Sequence, residues 1–386
     1  MFESIHSEHR LTTPLVRRDG ELREATWGEA LDLVSERLCG FVGDSVAGLG
    51  GANNTNEEAF AFGKFMRTIV VSPHIDAQLD DGLDPHFLVG LTPRASISDL
   101  ESARTILLWA ADLKEEYPVL YLRVRRAAAE LGANLIIVHP RRTGLDDVAT
   151  HKVRYTPGRG PDVLRELVAG DGDKEGIRAA LNEGPVIAIV GRTGLTEDPR
   201  LSEAVAAFAR DLPQGKILPL ARRANVMGAL DMGLAPTLLP GRVSETSAHD
   251  LLEAEWGPLP ETRGRDAAGI LAGLSEGELN ALIMVGADPV RDYKDPQLAR
   301  DALEAAEFVV ALDHFLNDSS SLADVVLPVD GFGEVEGTVT NIEGRVQKVN
   351  RLVPGPGQTR PVWSVLDDLA RRLDGDLGAT SASNLA

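Results

Sequence analysis

The sequence predicts an α/β protein with doubly wound, parallel sheets and a small glycine-rich β element beside them. The clearest sign is residues 105–143, TILLWAADLKEEYPVLYLRVRRAAAELGANLIIVHPRRT. Residues 105–109 and 135–138 are short apolar runs of the kind buried on both faces of a parallel sheet. Between them Leu120, Val124, Ala127, Ala128 and Leu131 recur at helical spacing. Glu115, Glu116 and Pro118 suit the first turn, and Gly132 is placed to end the helix left-handed. The second sign is recurrence. Strand, helix and strand follow again at 185–190, 201–212 and 217–220, and at 281–285, 296–306 and 308–312, without shared sequence, which favours a doubly wound body over a solenoid. Ligands of such sheets sit at the carboxyl ends of the strands, here residues 110–114 and 139–143.

The remaining elements follow in order. Residues 1–10 are polar and read as a linker, and 11–27 read as a hairpin turning at Asp19-Gly20. Thr26 and Glu29 have capping-box spacing, and Ala30, Leu31, Val34 and Leu38 form the stripe of the helix they start. A strand at 46–49 leads through Gly50-Gly51-Ala52-Asn53-Asn54-Thr55 into a helix over 56–69. Residues 71–99 are loop-rich. A short strand is expected at 152–155, a helix at 161–168 and a polar loop at 170–174. In the helix over 201–212, Ala204, Ala207 and Phe208 are expected to face inward. Gly331, Gly333, Gly337 and Gly344, among Thr338, Val339, Thr340, Val346 and Val349, suggest a β meander packing near the first hairpin. An amphipathic helix over 363–373 is last, and residues 375–386 read as a disordered tail.

At 386 residues the chain exceeds one ordinary core, so two lobes are expected. A formal net charge of −20 argues against nucleic acid or anionic lipid as a surface partner. No apolar run approaches the roughly 18 residues a bilayer span needs, and residues 1–10 lack a signal-peptide core. Cys39 is the only cysteine, which excludes a disulfide framework and any iron–sulfur cluster ligated wholly by this chain; it reads as core filler.

The motifs leave alternatives open. Gly48-Leu49-Gly50-Gly51-Ala52-Asn53 is glycine-rich between strand and helix but lacks a full phosphate-binding fingerprint, so a nucleotide role stands beside plain turn chemistry. The eight histidines show no metal-ligating pair at i, i+4. His74 with Asp76, Asp80, Asp81 and Asp84 reads either as a hard-cation site or as a solvated acidic loop, the latter being the simpler reading. Arg141 and Arg142 suit a phosphate clamp or pairing with surface carboxylates.

Several ordered segments resemble the molybdopterin oxidoreductase family: RLTTPLVRRDG with TWGEAL, TNEEAF, EEYPVL with HPRRT, NVMGALDMG, VGADP, LADVVLP and EGTVTNIEGRVQ. The resemblance covers residues 10–373 and implies the Rossmann-like core of formate dehydrogenase and dimethyl sulfoxide reductase. It implies a small β remnant from 11–27 and 331–353, an α/β lobe from 28–72, 232–330 and 354–374, and an inserted α/β lobe over 73–231. Two functional classes compete. The Pro236 to Gly241 segment and the TNIEGRVQ stretch look most like the large G subunit of NADH-quinone oxidoreductase, respiratory complex I, in which the cofactor is generally absent. That class implies a mainly structural, non-catalytic chain. Its partners would be other NADH-quinone oxidoreductase subunits, including those carrying iron–sulfur clusters, and it would be cytoplasmic, peripheral to the cytoplasmic face of the cell membrane through the complex.

The alternative class is a formate dehydrogenase-type molybdenum enzyme binding bis-molybdopterin guanine dinucleotide. Its metal ligand falls at about Gly82, which has no ligand atom, so Asp81 or a neighbour would have to serve. The family's amino-terminal iron–sulfur modules and carboxyl-terminal β-barrel have no counterpart, and a split, truncated or short homologue is expected. The resemblance places a vestigial cofactor cleft on Asp112, Lys114, Glu115, His139, Arg141, Thr143, Gly286 and Asp288, with no cofactor expected in it. Family enzymes commonly carry Asn where this chain has Asp112 and Asp where it has His139.

Overall fold

Strand pairing divides the computed structural model, which describes residues 2–170 and 175–385, into two units. Residues 1–81, 222–341 and 345–386 make the first, and 82–221 with 342–344 the second. The strands are, in the first unit, β1 (Leu15–Arg18), β2 (Glu21–Glu24), β3 (Val46–Gly50) and β4 (Ile75–Asp76). The second unit holds β5 (Thr105–Trp109), β6 (Asn134–Val138), β7 (His151–Val153), β8 (Val186–Val190) and β9 (Lys216–Pro219). The chain then adds β10 (Leu238–Leu239), β11 (Val243–Ser244), β12 (Ala281–Val285), β13 (Phe308–Asp313), β14 (Val325–Pro328), β15 (Gly337–Thr340) and β16 (Val346–Val349).

The first unit is a seven-stranded sheet in the order β2-β1-β14-β13-β12-β3-β4, parallel except for the hairpin β1–β2. Its chain order reverses between β3 and β12, a topological switch point. The second is a five-stranded parallel sheet, β7-β6-β5-β8-β9, whose switch point lies between β5 and β8. Strand alternation explains its two cores. Leu107, Trp109, Ile136 and Val138 enter one apolar cluster, while Ile106, Leu108, Leu135 and Ile137 enter the other. The helix Trp27–Cys39 begins with the Thr26–Glu29 capping box, and Asn56–Lys64 has a second one from Thr55 and Glu58. A π-helical turn, Phe65–Ile69, continues the latter.

Several expectations are corrected. The β1–β2 hairpin does not join 331–353 in a separate β remnant: β1 bonds to β14, whereas β15 and β16 pair only with each other, because the open edge of β14 offers the hairpin a ladder. The boundaries fall at 81/82 and 221/222, since β4 pairs with β3 and draws 73–81 into the first unit. The acidic run is no solvated loop: Asp76 and Asp81 are buried, and Asp84 caps the helix Pro85–Gly90 through Phe87 N at 2.9 Å. Residues 1–10 contain a helix, Phe2–Ile5, and a buried Arg10. The expected disordered tail forms the helix Ala382–Leu385 and buries Leu377, Ala379 and Ala382.

Cys39 is exposed because Leu38 takes the inward position of that helical turn. The helix Pro199–Arg210 starts before its expected position and turns Leu201, Val205, Ala206 and Ala209 inward, leaving Ala204 and Ala207 exposed. Leu131 is exposed because its helix ends at Ala129. Apart from Gly170, the loop expected at 170–174 lies outside the described residues.

Candidate functional site

Each switch point opens a crevice at the carboxyl ends of its strands. In the first unit the floor is glycine by necessity. Gly50 has φ +117°, and a Cβ there would lie 2.1 Å from Val285 O. Gly51 N donates to the same carbonyl at 2.8 Å, and Asn53 Nδ2 reaches across to Gly286 O at 3.1 Å. Gly286 is itself left-handed, at φ +58°.

Beside this floor is a cavity of about 480 Å³ lined by Asn53, Gly286, Asp288, Asp313, His314 and Asn317 among others. Its carboxylates are held by neighbours. Asp288 accepts from Ser319 Oγ at 2.6 Å, and Asp313 accepts from His314 N at 2.6 Å and Asn317 Nδ2 at 2.7 Å. Burial pushes the Asp313 carboxyl above its ordinary range, against the pull of His314 and the backbone donors. The glycine-rich β3 loop leads to a helix amino terminus already occupied by an internal carboxylate: Glu58 accepts from Thr55 N at 3.2 Å and from Val362 N at 3.0 Å.

In the second unit Asp112 lies three residues past the end of β5 and caps the helix Leu113–Glu116. Its carboxylate, 6% exposed, accepts from Lys114 N at 3.1 Å and from Gly144 N at 3.2 and 3.0 Å. The Lys114 stem packs on Gly144 so closely that a Cβ there would lie 2.6 Å from it. His139, at the end of β6, is 2% exposed; Arg141 N donates to its Nδ1 at 3.1 Å, and burial holds its pKa below the ordinary imidazole value. Arg141 forms an exposed pair with Glu115 at 2.6 Å, and Arg142 pairs with Asp147 at 2.9 Å, so both arginines answer carboxylates. Thr143 donates from N and Oγ1 to Asp146 at 2.9 and 2.8 Å, and Asp146 also pairs with Arg154.

The structure thus brings Asp112, Lys114, Glu115, His139, Arg141 and Thr143 onto the β5 and β6 ends, and Gly286 with Asp288 onto the other unit. The loop over 191–193, after β8, belongs to the second unit's crevice by strand order and was not among the expected residues. A Cβ on Gly191 would lie 3.4 Å from Ala110 Cβ, across the switch point. Its turn is legible in the sequence; its place beside β5 is not. Asp81, the alternative metal ligand, accepts from Leu79 N at 3.0 Å and lies 3.1 Å from Arg223. Among the described residues no group of three or more His, Cys, Asp or Glu side chains is arranged to hold a metal ion, and no helix is long and apolar enough to cross a membrane.

A family model described as Molybdopterin oxidoreductase matches residues 10–372. The chain belongs to the molybdopterin oxidoreductase family. Within this family it is 33% identical over 416 residues to the G subunit of NADH-quinone oxidoreductase from Streptomyces coelicolor, across 98% of this chain and 48% of that one. It is 30% identical over 431 residues to the F420-dependent formate dehydrogenase 2 subunit alpha of Methanococcus maripaludis, across 96% of this chain and 63% of that one. The chain therefore spans between about half and just under two thirds of these relatives' lengths. Acetylene hydratase from Pelobacter acetylenicus shares the fold, with a TM-score of 0.64 at 15% identity over 96% of this chain and 62% of that one. A family of oxidoreductases is established by these matches, and both functional classes stand among its relatives at similar identity.

Proposed function

We propose that this chain is a component of an NADH-quinone oxidoreductase corresponding to its G subunit, a degenerate molybdopterin-oxidoreductase body that is mainly structural. Its partners in this reading are other subunits of that complex, including those that carry iron–sulfur clusters, and it reaches the membrane's cytoplasmic face only through them. The observation that carries the reading is the Asp112 carboxylate seated on the backbone N–H groups of Lys114 and Gly144. Those donors, at the carboxyl end of a parallel strand, are ones an anionic dinucleotide would need. A pyrophosphate charge about 4 Å from an ionised Asp112 would meet a repulsion of roughly 4 kcal/mol at an effective dielectric near 20. The buried His139 has its Nδ1 engaged by Arg141 N, and Arg141 is paired with Glu115. These residues do not fit a pterin dinucleotide.

The second reading, a formate dehydrogenase-type molybdenum oxidoreductase, is favoured by the 30% identity to the Methanococcus maripaludis protein. Elemental analysis and ultraviolet–visible spectra of protein expressed with molybdate separate the two. The structural reading expects no stoichiometric molybdenum or tungsten and expects NADH-quinone oxidoreductase subunits to co-purify from a native host. Stoichiometric metal with a pterin signature would replace it with the second reading.

A further inference from the structure

We propose that Arg223 pins a latch holding together, on the first unit, the two chain segments that lead to and from residues 82–221. The unit boundaries fall after Asp81 and before Arg222. At both crossings a residue other than glycine is left-handed, Asp80 at φ +54° and Arg223 at φ +81°. Such backbone persists only where its surroundings over-determine it.

Here the surroundings are charges carried by one segment, Asp292-Tyr293-Lys294. Tyr293 is 4% exposed and belongs to the first unit's apolar core, so the segment is anchored. On one side of Tyr293, Lys294 pairs with Asp80 on the outgoing chain. On the other, Asp292 Oδ2 lies 3.3 Å from Arg223 Nη2 on the returning chain. The same Arg223 nitrogen lies 3.1 Å from Asp81 Oδ2, which joins the two crossings directly.

The Asp81 and Arg223 side chains are only 2% and 12% exposed, so solvent and salt screen this link weakly. The other Asp81 oxygen is already committed to Leu79 N. Three carboxylates, Asp80, Asp81 and Asp292, therefore share two cations, Arg223 and Lys294. Without Arg223 the buried Asp81 carboxylate loses its counter-ion, with Asp292 close by. Both crossings then open as one cooperative unit and not independently. This latch uses none of the groups that carry the structural reading; it shares Asp81 with the molybdenum-enzyme reading, which would need that carboxylate as a ligand.

Hydrogen exchange read by mass spectrometry on the full chain tests it. Arg223→Gln should raise exchange in 78–84 and 220–224 together, on the order of tenfold or more, while β12 and β5 keep their protection. Arg223→Gly relieves the left-handed backbone but removes the charge, and should loosen both segments as well. Arg223→Lys should retain most of the protection. Loosening confined to 220–224, or wild-type protection in Arg223→Gly, would overturn the latch. If Arg223→Gln does not fold, the milder Asp292→Asn serves; it should raise exchange in both segments by a smaller factor, and no change in 78–84 would also overturn it.

Discussion

Arg10 donates two parallel hydrogen bonds to Glu334, Nη1 to Oε1 at 2.7 Å and Nη2 to Oε2 at 2.6 Å, across 324 positions of sequence. Both side chains are buried, at 4% and 1% exposure, and Gly331 N donates to the same carboxylate at 2.6 Å. Burial alone would raise the Glu334 pKa, but the Arg10 bonds, the Gly331 N–H and the Arg10 charge outweigh it and hold it below the ordinary value. Removing one partner strands the other charge. Glu334→Gln should therefore cost roughly 3 kcal/mol in urea unfolding at pH 7. Because the folded pKa is depressed, the stability it contributes is present above the unfolded value of about 4.5 and is lost as pH falls through the folded one. A loss under about 1 kcal/mol in Glu334→Gln would contradict this account of the pair.

Asp76 has the opposite sign. Burial pushes its carboxyl up to about 7, against the hydrogen bonds from Gln78 N and Ala267 N, with Asp266 and Asp81 adding to the rise. The folded state therefore binds a proton that the unfolded chain releases near pH 4, and stability falls as pH rises between about 4 and 7. The stability difference between wild type and Asp76→Asn should shift in favour of the variant across that window, with a slope of at most about 1.4 kcal/mol per pH unit. Urea unfolding at pH 5, 6, 7 and 8 measures it; a difference that does not change with pH would show that Asp76 is ionised throughout.

Gly50 joins β3 to β12 at the first switch point, and its φ of +117° leaves no room for a Cβ beside Val285 O. Gly50→Ala should lower stability by at least ~2 kcal/mol, through backbone strain and the displaced ladder. Gly20, also at positive φ, has nothing within 4 Å of its Cβ position and is the control: Gly20→Ala should cost less, from φ alone. Equal melting temperatures for the two variants would remove the steric argument.

Asp112 caps the short helix Leu113–Glu116 and ties it to the loop at Gly144. Asp112→Ala leaves those N–H groups unsatisfied, and a cost of about 1 to 2 kcal/mol is expected in denaturant unfolding. Faster hydrogen exchange at 113–117 and 143–146 should accompany it; unchanged exchange at 143–146 would mean that the link to Gly144 does not hold that loop.

Local chemistry was legible in detail. The Thr26–Glu29 capping box, the left-handed Gly132 and the both-face burial of 105–109 in β5 and 135–138 in β6 were all readable because each depends on residues a few positions apart or on one strand's own composition. The candidate loops after β5 and β6 were readable for the same reason. The loop after β8 was not, because neither the composition of a strand nor the length of a crossover says on which side of β5 it lies.

By itself the sequence determined the α/β class, the recurring strand–helix–strand units and membership of the molybdopterin oxidoreductase family, since these are written in periodicity and in ordered short motifs. Only the tertiary structure decided the strand order, and with it the switch points between β3 and β12 and between β5 and β8. It also decided that the hairpin β1–β2 completes the large sheet on β14, and that the acidic run is buried. The physical reason is common to these outcomes. Strand pairing and the burial of a carboxylate are settled by partners more than a hundred positions away: Val326 for Leu15, Ala267 for Asp76, Arg223 for Asp81. No local pattern encodes such partners.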